Sequence, residues 1–285
     1  MRLYIPKELE RKAAAHRDLA CRPGIAARVV QALGEPGWTL EEIESSVNLD
    51  PVLVGHLSGR ATAMTGRGEN QTVGVAEALS RIGPGALKGV LLGICNPSLF
   101  REPSEVEDRL WEHSLAAGIA CRGIAPRVAG ISEDQAYAVG LLHNLGKVLL
   151  CIAEPEAYLE VVRRGADQGL PAERVEERAF GYNHAQAGAA LALKWGLADA
   201  TVRALFFHRD LEACEALRPA ERRVCLLAAL GGRVADALGT GVASKEESIS
   251  WETEPAAVGL GLGPADMEPL VLRAGERFAM DRALV

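Results

Sequence analysis

Several things are scarce or missing in this 285-residue chain, and each absence removes a class of function. No two of its six cysteines form a C-x-x-C pair, which argues against a zinc ribbon or a disulfide framework. Cys21, Cys95, Cys121, Cys151, Cys214 and Cys225 mostly lie in apolar stretches and read as reduced, buried thiols. The longest uninterrupted apolar runs, such as "GVLLGIC" and "VLLCIA", fall short of the roughly 20 residues that span a bilayer. The first residues, "MRLYIPKELERKAAAHRD", are charged throughout and have no secretory pattern, so a cytoplasmic protein without a membrane partner is expected. Basic excess is also missing. The formal net charge is −7, which does not suit a nucleic-acid partner. The arginines of "LRPAERR" read as a solvated helix face. A phosphate loop is absent too: "GRGENQTVG" lacks the Lys-Ser/Thr ending and follows no strand, so it reads as a surface loop. No internal repeat of fixed period is visible.

Strand-like alternation of β-branched residues is lacking as well, while alanine, leucine, glutamate and arginine dominate. The chain is therefore expected to be all-α. Helix starts are marked by Thr39 with Glu42, by Asp50 before Pro51, by Ser132 with Gln135 and by Asn183 with Gln186, the last helix ending at Gly196. Glycine and proline punctuate "RIGPGALK" and "NPSLFREPSE". A boundary near residues 95–104 divides the chain into an N-terminal helical subdomain (1–100) and a second helical subdomain (101–238). Residues 239–285 are expected to be a long polar, glycine-rich loop and a final helix, "PADMEPLVLRAGERFAM".

The second half carries most of the histidines. His113, His143, His184 and His208 each lie on a separate helix, with Asp236 late on another. Bundles build metal sites from such inward-facing side chains. His56 is set aside as a core histidine, and Lys147, one turn after His143, as a solvated lysine.

The segments "WEHSLAAGIA", "AYAVGLLHNLGKVLL", "AFGYNHAQAGAALALKWGL" and "RVADALG" resemble, in order and spacing, the helical HD superfamily, and most closely its HDOD family, the HD-related output domain of bacterial signalling. The stretch from "VVQALGEPGW" to "GALKGVLLG" looks like that family's N-terminal subdomain, although "GRATAM" stands where an asparagine-serine pair is common. The resemblance runs from about residue 20 to residue 238. It implies a fold shared with cyclic-dinucleotide phosphodiesterases of the HD-GYP type, whose histidines and aspartates hold two or more iron or manganese ions. The positions carried over are His113, His143, Asn144, His184, Phe207, His208 and Asp236. Two depart from the pattern. Asn144 replaces an aspartate and offers only a neutral carbonyl. Phe207 replaces a histidine and has no lone pair; its ring is expected to fill the place of the second ion.

A working two-metal centre is therefore not expected. His113, His143, His184, His208 and Asp236 would suffice for one divalent ion, iron, zinc, manganese or nickel. The reading adopted is that no cofactor is needed and that these groups persist as a hydrogen-bonded network holding the helices in register. The function expected is then a non-catalytic signal-transduction module whose partner is a regulatory or signalling protein. The alternatives are a metal-dependent phosphohydrolase or cyclic-dinucleotide phosphodiesterase, and a sensor that binds a cyclic dinucleotide without cleaving it.

Overall fold

The computed structural model describes residues 3–65, 71–96, 102–242 and 249–284, and every described element is helical. The first half holds α1 (Lys7–Ala15), α2 (Pro23–Gly34), α3 (Leu40–Val47), α4 (Pro51–Thr65) and α5 (Val75–Ile94). The second holds α6 (Glu105–Ile124), α7 (Glu133–Leu142), α8 (Leu145–Ala153), α9 (Pro155–Gln168), α10 (Ala172–Phe180), α11 (His184–Trp195), α12 (Asp199–Phe207), α13 (Leu211–Cys214) and α14 (Pro219–Ala237). Two more, α15 (Pro255–Gly259) and α16 (Pro264–Arg282), follow.

The local signals that start these helices act through side-chain caps. Thr39, Ser132 and Asn183 each accept from the backbone N–H three residues on, and the side chains of Glu42, Gln135 and Gln186 return the bond. Asp50 Oδ1 accepts from the N–H groups of Val52 and Leu53, at 2.8 and 3.1 Å. Gly196 closes α11 in the left-handed conformation, φ 75°. The glycine and proline of "RIGPGALK" bend α5 at Gly83, whose φ is 72°.

The helix carrying His113 begins earlier than its local sequence suggests. Ser104 and Glu107 form a capping box there, placing His113 in the third turn. From Leu110 to Cys121 this helix is buried on nearly every side, because α7, α14 and α16 pack around it. The stretch Glu133–Ala153 is apolar enough, by length and composition, to cross a membrane, but 78% of its apolar 18-residue window is buried inside the fold. It is the two-helix centre of the core, broken at His143 and Asn144.

The region after residue 238 differs from the expected loop. Trp251, Ala256 and Ala257 are buried, and α15 packs on α14. Two of its glycines are packed as well: a Cβ would lie 2.8 Å from His113 Nδ1 at Gly241 and 3.0 Å from Leu226 Cδ1 at Gly259. Residues 243–248 lie outside the described residues, as do most of "GRGENQTVG" and the middle of the expected boundary at 95–104.

Candidate functional site

Three of the four histidines sit at helix ends, and the fourth lies in the third turn of α6. His143 caps the C-terminus of α7, His184 opens α11, His208 caps α12, and His113 faces inward from α6. The crossing of α8 over α11 sets the spacing. It depends on Gly146, where a Cβ would lie 1.8 Å from the His184 carbonyl oxygen and 2.4 Å from the Gly188 nitrogen. "HNLGK" thus needs its glycine for a backbone-to-backbone contact.

The rings form a continuous row. Centroid separations are 5.2 Å for His113–His143, 5.5 Å for His143–His208 and 5.5 Å for His208–His184. All four are at most 6% exposed. Asp236 joins the His113 end, with Oδ1 3.7 Å from His113 Nδ1, and Arg233 holds its other oxygen at 3.0 Å. His56 stays outside, packed on the Trp195 ring at 4.3 Å.

The hydrogen bonds of these rings run to neighbouring carbonyls and to Glu176, not from ring to ring. Each Nδ1 faces its own acceptor instead. His143 Nδ1 meets the Gly140 carbonyl at 2.7 Å, and His208 Nδ1 meets that of Leu205 at 2.8 Å. His113 Nδ1 lies 3.3 Å from the Thr240 carbonyl. His184 Nδ1 lies 2.6 Å from Glu176 Oε2, which also accepts from the His184 backbone N–H at 2.8 Å. Facing acceptors, the Nδ1 atoms carry the protons and the Nε2 atoms carry the lone pairs. Among the described residues, the Nε2 atoms of His184 and His208 are buried with no partner.

The electrostatics keep those lone pairs available. Burial lowers the pKa of His113 to about 3 and holds His143, His184 and His208 well below the usual imidazole value. The positive charges of Lys147 and Arg209 act in the same direction. Burial raises Glu176 to about 7, against the pull of Lys147 and the His184 N–H. Lys147 is not the solvated lysine expected: it is half-buried, and burial lowers its pKa.

Glu176, Thr240 and Arg209 escape sequence reasoning. Only Glu176 leaves a trace, as a carboxylate beside Val175 on the inward face of α10, where an apolar residue would be expected.

The metal centre that the resemblance implies can be tested against these donors. Two ions do not fit. Asn144 is buried where the bridging carboxylate would be, and the ring of Phe207 packs with Val139, Ala204, Cys214 and Leu217. Phe207 therefore removes a donor by turning into an apolar cluster, a correction to the expected plug. One ion fits the donor chemistry. Two imidazoles bound to one zinc at ~2.0 Å have ring centres roughly 5 Å apart, close to the spacing of each neighbouring pair. Among the described residues no three such donors converge, so an ion would require at least one ring to turn. Glu176 would then orient His184, and Glu176→Gln is expected to weaken zinc binding about 10-fold or more, read by calorimetry at pH 7.5. An unchanged affinity would separate Glu176 from any metal role.

Comparison with known proteins agrees with this architecture. A protein of Treponema pallidum (strain Nichols) is 25% identical over 199 residues, covering 68% of this chain and 38% of its own length. The chain thus spans about two fifths of that relative. Among solved structures, the MmoQ response regulator of Methylococcus capsulatus str. Bath has a TM-score of 0.67 at 22% identity, over 88% of this chain and 97% of that one. An HDOD domain protein of Geobacter sulfurreducens has a TM-score of 0.57 at 22% identity, over 97% and 95%. A virulence factor of Campylobacter jejuni subsp. jejuni reaches 0.68 at 11% identity, over 95% and 99%. These likenesses establish the fold. Residues 19–211 match the HDOD domain, and the chain belongs to the HDOD family.

Proposed function

We propose that this protein is a non-catalytic regulatory module that retains a shell of the metal-binding HD site and works through a protein partner in signal transduction. The observation that carries this reading is the pair of departures. Hydrolysis at a two-ion centre needs a bridging anion and an activated water between the ions. Asn144 supplies no negative charge, and Phe207 lies in an apolar cluster. Lys147 adds positive charge beside the imidazoles, which disfavours a second cation further. The Methylococcus neighbour is a response regulator, which supports the same reading. A single divalent ion, if bound, would serve to hold α7, α11 and α12 together.

The test is turnover. Purified full chain, supplied in turn with manganese, iron, zinc and nickel, is expected to leave cyclic dinucleotides and aryl phosphates intact. Hydrolysis that disappears in His143→Ala would replace the regulatory reading with the phosphodiesterase one. Cyclic-dinucleotide binding without turnover, weakened by Lys147→Ala, would favour the sensor.

A further inference from the structure

Two cysteines in the N-terminal half stand apart from the histidine row. Cys21 lies in the segment between α1 and α2, and Cys95 caps the C-terminus of α5. Their sulfurs are 3.6 Å apart, with the Cys21 S–H directed at Cys95, although 74 residues separate them in sequence. Cys21 also lines a cavity of about 500 Å³, together with Arg22, Asp50, Trp111 and Val148. A small oxidant in this cavity therefore lies beside the pair, although both side chains are buried.

We propose that Cys21 and Cys95 form a reversible dithiol–disulfide pair, oxidised by a peroxide entering this cavity, that locks the helices α2–α5 into a closed loop. The chemistry balances in two steps. Cys95 sulfur, which accepts the Cys21 S–H, attacks one oxygen of hydrogen peroxide; the O–O bond breaks, an S–O bond forms, and the thiol proton leaves with the departing hydroxide as water. Cys21 sulfur then displaces the hydroxyl from the Cys95 sulfenic acid; the S–S bond forms, the S–O bond breaks, and a second water leaves. The two thiols lose two electrons and the peroxide gains them. The sulfurs need only close from contact distance to about 2.05 Å.

The lock bears on the join between the two halves. Arg22, next to Cys21, donates its backbone N–H to Asp50 at 2.9 Å and pairs with Asp108 of α6 at 2.7 Å. Its guanidinium lies over the Trp111 ring, 4.8 Å from the centroid. Fixing residue 21 to the end of α5 therefore fixes this anchor as well. Closing a loop of this length restricts the unfolded chain strongly, so Tm is expected to rise by roughly 5 °C or more on oxidation.

The other close pair provides an internal comparison. Cys214 and Cys225 also touch, but neither lines this cavity. The full chain would be treated with hydrogen peroxide at neutral pH, its remaining thiols alkylated, and its peptides mapped without reduction. A linked Cys21–Cys95 peptide, together with a Tm rise that dithiothreitol reverses, is the expected result. Cys21→Ser and Cys95→Ser should each abolish both. Oxidation confined to Cys214–Cys225, sulfonic acid at Cys95 without a link, or a link that leaves Tm unmoved would overturn the proposal. The wild-type map decides the matter even where a serine variant fails to fold.

Discussion

Between pH 6.5 and 5 the apo chain is expected to lose several kcal/mol of stability, with unfolding setting in near pH 5. The cause is the set of buried imidazoles. His113 and His56 have pKa values lowered to about 3 and about 4, and His143, His184 and His208 lie well below 6.5, burial being the largest cause throughout. In the unfolded chain all five titrate near 6.5. Below that pH the unfolded state binds protons that the folded state refuses, so their contribution is complete above 6.5 and is lost as the pH falls. Each histidine costs up to about 1.4 kcal/mol per pH unit.

Carboxylates work against this loss. Glu176, raised to about 7, takes a proton in the folded state first and so adds stability as the pH falls from 7 towards 4.5. Asp50, Asp236 and Glu44 are also raised by burial and act in the same sense. Five strongly displaced imidazoles outweigh one strongly displaced carboxylate and three lesser ones. Against a total of about 5–15 kcal/mol for a typical domain, the net loss decides whether the chain stays folded. Urea titrations followed by circular dichroism at pH 7.5, 6.5, 5.5 and 5 would measure it. His113→Leu removes one of the five and should move the acid midpoint down. A midpoint that moves up, or a stability curve flat to pH 5, would show that these rings are not held neutral.

Gly146→Ala is expected to destabilise the fold by about 3–5 kcal/mol, more than its extra methyl would suggest. Both atoms nearest the added Cβ are backbone, the His184 carbonyl oxygen at 1.8 Å and the Gly188 nitrogen at 2.4 Å, so no rotamer change relieves the clash. Helices α8 and α11 must move apart, opening the core between them. The helix-propensity gain of about 1 kcal/mol for replacing glycine by alanine is smaller than this cost. Gly89→Ala supplies the control: it lies on the exposed face of α5 with nothing within 4 Å of its added Cβ, so only the propensity gain remains. Thermal melts of the two variants should move in opposite directions. Equal melting temperatures would mean that α8 and α11 do not meet as closely as described.

What could be read from the sequence was local or inherited. Thr39, Ser132 and Asn183 act within four residues, so their caps are written in the sequence as clearly as in the fold. The four histidines were found through order and spacing within a family pattern, and they do meet. Glu176 and Thr240 were missed because nothing near them in sequence states that α10 and the turn after α14 close over His184 and His113. Lys147 was misjudged for a related reason. A lysine one turn into a helix is usually solvated, and only the approach of neighbouring helices buries it. The direction of the Phe207 ring depended likewise on Cys214 and Leu217, which follow it in the chain.

The first helix carries a consequence for synthesis. α1 lies against α11, with Lys12 reaching Glu154 and Tyr182 at 2.7 Å each, and the Trp195 indole N–H donating to the Arg17 carbonyl at 2.7 Å. These contacts join residues as many as 178 apart in sequence. On the ribosome, α1 must wait until Trp195 has been made and cleared the exit tunnel. At about 5–20 residues per second that delay lasts on the order of ten seconds or longer, with the apolar side of α1, Leu9 and Ala13, uncovered meanwhile. The charged face of "KELERK" keeps this waiting segment in solution, and α1 docks long after it is made.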